Sequence, residues 1–206
     1  MTTLTPTHDT DLLRQMRAGT AAAFQALYQR HQAPLFRFAL LRSGSADTAA
    51  DIVQEVFMGL LTDSFKFDPL RGELRTFLFG VARNLVLKHE EPRRRHDSLP
   101  EPDDDGEFDS DAGSEDAEPL SRMLDNELAE EVRCALARLA PVFRDAVILF
   151  ELHDLSYLEI AAICQVDIGT VRSRLSRGRA ALAKHLAAHR PSLKNANREG
   201  ADHAYR

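Results

Sequence analysis

Along the first half of the chain, apolar residues return every three or four positions, the spacing of one helical face. No Val/Ile/Thr-rich run alternates with period two. Leu12, Leu13 and Met16 form a stripe that stops at Gly19, Phe24, Leu27 and Tyr28 form the next, and Leu35, Phe38 and Leu41 form a third that ends at Ser43-Gly44. The pattern predicts three helices before residue 45. In the fourth, Ile52, Val53, Val56, Phe57 and Leu60 share one face and Asp51, Gln54, Glu55 and Met58 the other. One face suits a core and the opposite one a partner. A loop with Pro69 and Gly72 follows, then a helix capped by Thr76 that turns Phe77, Leu78, Val81 and Leu85 inward. Pro92 predicts a break in that helix before the run Arg93-Arg94-Arg95.

In the second half, Leu139, Phe143, Val147 and Phe150 define one helix. Ser156-Tyr-Leu-Glu159 fits a capping box, in which hydroxyl and carboxylate each satisfy an orphan backbone donor at a helix start. The helix it opens is short, Tyr157 to Cys164. A turn through Gln165, Val166, Asp167 and Gly169 leads to a further helix opening at Thr170-Val171, with Arg172, Ser173, Ser176, Arg177 and Arg179 outward. This is a helix-turn-helix pattern whose core is Ile160, Ala161, Ile163, Val166, Val171 and Leu175. The predicted fold class is all-α, two small helical domains joined by a flexible acidic linker, the second containing the helix-turn-helix. The expected divisions are 9–95, a linker 96–119, 120–188 and a polar tail 189–206.

Charge changes the picture of partners. The chain of 206 residues carries a net charge of -6, which argues against nucleic acid until the acids are located. Ten of them lie between Glu101 and Glu118, where there is no Lys or Arg, so removing that segment leaves the rest at +4. The segment is too poor in apolar residues to offset its conformational entropy by burial, hence its reading as a linker. From Val171 to Arg190, by contrast, six basic residues stand without one acid: Arg172, Arg174, Arg177, Arg179, Lys184 and Arg190. Basic charge of this kind on the second helix of a helix-turn-helix is the footprint of major-groove docking, where Arg reaches phosphates or guanine edges.

The first half offers a different nucleic-acid chemistry. Phe65, Phe67, Phe77 and Phe79 interleave with Lys66, Arg71, Arg75 and Arg83, followed by Asn84 and Lys88. Aromatic faces stack on unpaired bases while guanidinium groups hold the backbone, a mixture suited to single-stranded or flipped bases. Phe67 and Phe77 admit two roles here, base platform or core.

Composition narrows the classes. Hydrophobic residues make up 44% and charged residues 28%, the balance of a soluble globular chain. The longest apolar runs, such as 146–150, fall far short of the roughly 20 residues that cross a bilayer, and the amino end shows no basic segment leading into an apolar one. A cytoplasmic protein without membrane insertion is expected. Cys134 and Cys164 sit in separate helical patterns with no CxxC and are expected to be core thiols. Nucleophile-elbow glycines, a phosphate-cradling loop, HExxH and paired catalytic carboxylates are missing, and the eight His lack ligand spacing. The expectation is no enzyme, no cofactor and no metal.

The stretches DIVQEVFMGLL and FDPLRGELRTFLFGVARN resemble the core-binding and minus-ten-reading domain of the extracytoplasmic-function (ECF) sigma factors, and LSYLEIAAICQVDIGTVRSRLSRGRAAL resembles their minus-thirty-five-reading domain. The resemblance covers about 24–95 and 136–186, in that order, with no additional middle domain. It implies a factor that directs core RNA polymerase to promoter DNA and melts it, with an anti-sigma factor as a further partner. It also implies roles for residues. Asp51, Gln54, Glu55 and Met58 would dock on polymerase. Phe67, Arg71, Arg75, Phe77, Arg83, Asn84 and Lys88 would serve the minus-ten element, and Thr170, Arg172, Ser173, Ser176 and Arg177 the minus-thirty-five element. Phe77 stands where the family usually has Trp, keeping an apolar wedge without the indole donor. Ser176 replaces a larger aromatic or His, and Gly178 an Ala. The competing reading is an ordinary helix-turn-helix regulator with a sensing first domain, which would bind duplex DNA alone.

Overall fold

A computed structural model of the chain describes residues 8–96 and 129–189, and every regular element among them is helical. The acidic linker beyond 96 and the tail beyond 189 lie outside the described residues.

Two helices, not three, precede residue 45: α1 (Asp9–Arg17) and α2 (Ala21–Ser43). The second and third stripes are one continuous face, interrupted in the sequence only by His31. That residue is buried at 5% exposure between Leu27 and Leu35, with its Nε2 2.8 Å from Asp9 Oδ2. Satisfied by a carboxylate from α1, a polar side chain occupies an apolar position and ties the two helices together. Pro34 lies inside α2; its ring dihedral fits a helix, so it removes one amide donor without ending the run. Gly44 closes the helix in the left-handed conformation at φ 74°, which glycine adopts without steric cost.

α3 (Ala46–Leu61) is capped by Ser45, whose hydroxyl accepts from the Thr48 amide, and it buries Ile52, Val53, Val56, Phe57 and Leu60 as its pattern requires. A single 3-10 turn, Pro69–Arg71, leads into α4 (Leu74–His96). That helix starts two residues before Thr76, which is therefore an inner residue and not its cap, and its backbone continues through Pro92. A proline costs the helix one hydrogen bond and a bend, and here it does not end it. Leu78 and Leu85 are buried, Phe77 and Val81 partly so, and Phe79 joins the core at 1% exposure.

The second half begins with α5 (129–137). Leu139 lies in the turn after it rather than in a helix, because Pro141 takes the first position of α6 (Pro141–Val147). Leu139 is nonetheless buried at 2% exposure. A wider π-type turn, Ile148–Leu152, extends α6. The capping box at Ser156 and Glu159 forms as expected and opens α7 (Tyr157–Cys164). α8 (Ile168–His189) begins two residues before the predicted start, since Asp167 caps it: its carboxylate accepts from the Thr170 amide and hydroxyl, both at 3.1 Å. Cys164 is buried, but Cys134 is exposed on α5, its Sγ directed at Glu130, so it is not a core thiol.

α2 packs on α1, α3 and α4 in the first half, and α8 packs on α6 and α7 in the second. The α6–α8 approach explains one glycine. A Cβ at Gly178 would stand 2.7 Å from Val147 Cγ2 and 3.4 Å from the Phe143 carbonyl oxygen. Val147 is buried and stiff at χ1, so it has little room to yield. Gly178→Ala gains about 1 kcal/mol of helix propensity, but overpacking a tight contact costs typically 1–3 kcal/mol. The variant should therefore unfold at lower urea concentration than wild type, followed by circular dichroism; a higher midpoint would show that the two helices can move apart.

Candidate functional site

Three surfaces carry the residues singled out by sequence. The first is a groove of about 820 Å³ between α2 and α3, lined by Tyr28, Phe36, Leu40, Phe57, Met58 and Leu61 among others. Met58 and Leu61 are 52% and 47% exposed, large apolar side chains left in water because the faces of α2 and α3 that meet the core lie elsewhere. Gln54 joins Met58 on this groove. Asp51 is exposed beside it, and Glu55 turns the other way, its Oε1 3.7 Å from Lys88 Nζ on α4. The predicted set thus divides between a groove wall and a surface ion pair.

The second surface lies around the 3-10 turn. Asp68 caps the turn by accepting from the Leu70 amide at 3.0 Å, and Gly72 sits at φ 143°, a conformation reserved for glycine. Together they lift Arg71 into solvent and open a pocket of about 350 Å³. Phe67 forms its floor at 7% exposure, 5.4 Å from the half-buried ring of Phe77. Burial makes Phe67 a core residue that shapes the pocket. Arg71, Phe77 and Asn84 line it directly, and Ala162 and Ile163 of α7, with Gln165 just after that helix, close one side.

Arg75 and Arg83 are elsewhere. Arg75 donates to the His153 carbonyl and lies over the Phe79 ring at 5.8 Å, while Arg83 Nε donates to Asp145 Oδ2 at 2.8 Å. Both acceptors belong to the second half, so these two arginines lie where the halves meet. Asp145 is 1% exposed and also receives Arg42 Nε; Arg42 in turn holds Glu90, with Nη2 3.0 Å from Oε2. Nothing in the local pattern marked Arg42, His153 or Asp145, because a lone charge in an apolar stripe reads as surface until its partner is known.

His153 reaches into the first half and stacks 4.7 Å from Phe79. Burial, together with Arg37 and Arg75, lowers its pKa from 6.5 to about 4. Beside it Thr76 donates to Glu159 Oε1 at 2.9 Å. Burial raises the Glu159 carboxyl, but the Ser156 hydroxyl and amide, Thr76 and Arg75 outweigh burial and hold it below its ordinary value.

The third surface is the outer face of α8. Arg172, Ser173, Ser176 and Arg177 are all exposed along it, while Thr170 is half-buried at the helix start and bonded to Asp167. Arg172 rests over the Tyr157 ring at 5.9 Å, which steadies it without masking its donors. Arg179 instead pairs with Glu151 at 2.5 Å and lies on Phe150, so it belongs to the side of the helix that leans on α6. Among the described residues no cluster of three His, Cys, Asp or Glu could hold a metal ion, and no helix is long and apolar enough to cross a membrane.

Every regular element among the described residues is helical, and the basic helix-turn-helix among them marks the class of DNA-binding proteins. Family models agree: residues 27–96 match Sigma-70 region 2 and residues 129–182 match Sigma-70, region 4. The RNA polymerase sigma-H factor of Pseudomonas aeruginosa is 31% identical over 89% of this chain and 96% of its own. The ECF RNA polymerase sigma factor SigE of Mycolicibacterium smegmatis is 34% identical over 81% of this chain, which spans 63% of that relative's length. Among solved structures, the sigma factor RpoE in complex with the anti-sigma factor NepR from Bartonella quintana superposes with a TM-score of 0.61 at 28% identity, covering 81% of this chain and 98% of that one. The chain belongs to the ECF sigma factors.

Protonating His153 requires charging a buried ring, so the neutral form is favoured in the fold. Its contribution to stability is complete above pH 6.5 and declines as pH falls from 6.5 toward about 4. His153→Leu should flatten the loss of urea stability across that window relative to wild type; parallel profiles would place the titration elsewhere.

Proposed function

We propose that the chain directs core RNA polymerase to promoters through these three surfaces, the first half (9–95) docking on polymerase and reading the minus-ten element and the second (120–188) reading the minus-thirty-five element. It acts in this reading as a non-catalytic regulator in the cytoplasm, serving a stress or signal regulon. The observation that carries it is the pairing of two unlike nucleic-acid chemistries in one chain: an exposed arginine and serine face on α8, suited to duplex edges, and a pocket with aromatic walls, suited to an extruded base.

Each surface has a role. The apolar groove of α2 and α3, with Gln54 in its wall and Asp51 beside it, takes a helical element of the polymerase, burying Met58 and Leu61, while Glu55 meets the polymerase from the adjoining face toward α4. The pocket of Arg71, Phe77 and Asn84 over Phe67 receives one base, while Arg75, Arg83 and Lys88 supply charge to the adjoining backbone. Arg172, Ser173, Ser176 and Arg177 enter the major groove, and Thr170 anchors the start of their helix. The NepR complex of RpoE supports an anti-sigma factor as a further partner.

Run-off transcription from a genomic fragment library with purified chain and core polymerase tests the reading. Start sites that need both components are expected; specific duplex binding by the chain alone, with no transcript gained, would make it an ordinary regulator instead. Asp51→Lys combined with Met58→Glu should abolish retention on core polymerase while the helical spectrum is unchanged, since both side chains are exposed. On α8, Arg172→Ala and Arg177→Ala should each cost about 1–3 kcal/mol and relax sequence preference, whereas Lys184→Ala should weaken all sequences alike and flatten the salt dependence. Equal losses on cognate and scrambled elements for all three would reduce α8 to a generic anchor.

A further inference from the structure

A glycine in the middle of a helix loses more conformational freedom on folding than alanine would, so it weakens the helix unless something requires it. Among the described residues, every glycine but one shows its requirement. Gly19, Gly44 and Gly72 hold positive φ. A Cβ at Gly59 would overlap the Phe65 ring, at Gly178 it would crowd Val147, and at Gly169 it would stand 3.2 Å from Asp167 Oδ1. Gly80 is the exception. It lies inside α4, its φ is not positive, and a Cβ built on it would meet nothing within 4 Å.

The place of Gly80 supplies the reason that packing does not. It lines the pocket of about 350 Å³ beside the 3-10 turn, to which α4 also contributes Thr76, Phe77, Val81 and Asn84. Thr76 and Asn84 stand four residues before and after Gly80, one helical turn away on either side. The middle of the α4 wall is therefore bare backbone with side chains around it. Room for a methyl group, which no protein atom would contest, is left to the pocket. We infer that Gly80 is the seat of the captured nucleobase: the flat face of the unpaired base lies directly on the α4 backbone there, closer than any side chain would allow.

This deepens the assignment of the pocket to an extruded base and rests on it. The surroundings fit a planar ring. Phe77, half-buried and 5.4 Å from the Phe67 ring, bounds the seat with an aromatic side chain. Asn84 is exposed one turn on, and its amide offers both donors and an acceptor to the edge of the base. Thr76 does not compete for that edge, since its hydroxyl donates to Glu159. The face of a base is common to all four and the edge differs between them, so Gly80 governs whether a base is held and Asn84 which one. Close approach is what the seat depends on, because a gap of about 1 Å already forfeits up to half of a dispersion contact.

Gly80→Ala tests the seat, because stability and function should move in opposite directions. In the full chain the variant should unfold at higher urea concentration than wild type, as alanine does better than glycine in an unobstructed helix. With core polymerase, on a promoter identified by genomic run-off and at equal retention of the chain, it should lower permanganate-detected opening of the minus-ten region and run-off product by about tenfold, the factor that one methyl of overpacking carries in a close contact. Gly80→Leu, also a better helix former than glycine, should lower both further. Arg71→Ala and Asn84→Ala report on the pocket itself. If these two lower opening while both Gly80 variants open the promoter as well as wild type, the seat is overturned and the assignment of the pocket to DNA stands. If none of the four lowers opening, both are overturned. A urea midpoint lowered by Gly80→Ala would also overturn the seat, because it would reveal a packing reason for the glycine.

Discussion

Arg42 is the constraint around which the two halves are arranged. It ends an apolar helix at 1% exposure, and a guanidinium so placed is always charged, so it must be surrounded by acceptors or the fold fails. Those acceptors come from two elements, α4 through Glu90 and α6 through Asp145. Burial lowers the tendency of Arg42 to hold its proton, while Asp145 and Glu90 together raise it by more. The same requirement explains Asp145, which would be an uncompensated buried anion without Arg42 and Arg83. Removing one partner is therefore worse than removing both.

Much of the helical inventory is legible without the fold. α3 follows from periodicity alone, and α7 from its capping box, because Ser156 and Glu159 are side-chain signals within three residues of the helix start. The failures share a cause. His31 splits α2 into two stripes because its partner, Asp9, lies 22 residues away; Pro92 reads as a stop because proline's local cost is visible and the support of neighbouring helices is not. Leu139 reads as helical because burial and helicity look alike in an apolar pattern. Thr76 and Thr170 each read as helix starts where Leu74 and Ile168 begin the helices, since a hydroxyl near a helix start looks like a cap wherever it is used.

The functional surfaces were legible in proportion to their locality. The exposed row Arg172, Ser173, Ser176 and Arg177 lies on a single helix and needs only the 3.6 period to be found. The α3 face was correctly separated from the core, but its division into a groove wall with Gln54 and Met58 and an ion pair with Glu55 depends on α2 and α4. Phe67 could not be assigned from composition, since a base platform and a core ring carry the same residue type; 7% exposure decides for the core. Arg75 and Arg83 were grouped with Arg71 by chemistry, whereas the fold separates them by what each meets.

Locality also determines how much of the fold each surface depends on. The groove is built by two helices joined through Gly44, and the α8 face by one helix, so neither changes with the disposition of the other half. The pocket differs, because its floor and loop belong to the first half and one wall to α7. A surface closed by a distant segment is held by free energy and not by the chain, and its exposure can be set by a few side chains. Apolar packing forms one buried cluster that runs from Leu27, Leu35, Ile52 and Val56, at 0–1% exposure, into Val147, Ile148 and Leu149 of the second half, and ions and a carbonyl acceptor are added where the halves meet. Separating apolar faces forfeits burial at about 25 cal/mol per Å², with no return from water. Separating ions recovers hydration. The joint between the halves therefore combines shared apolar burial with the ion cluster around Asp145, and the pocket is the one surface of the three whose walls come from both sides of it.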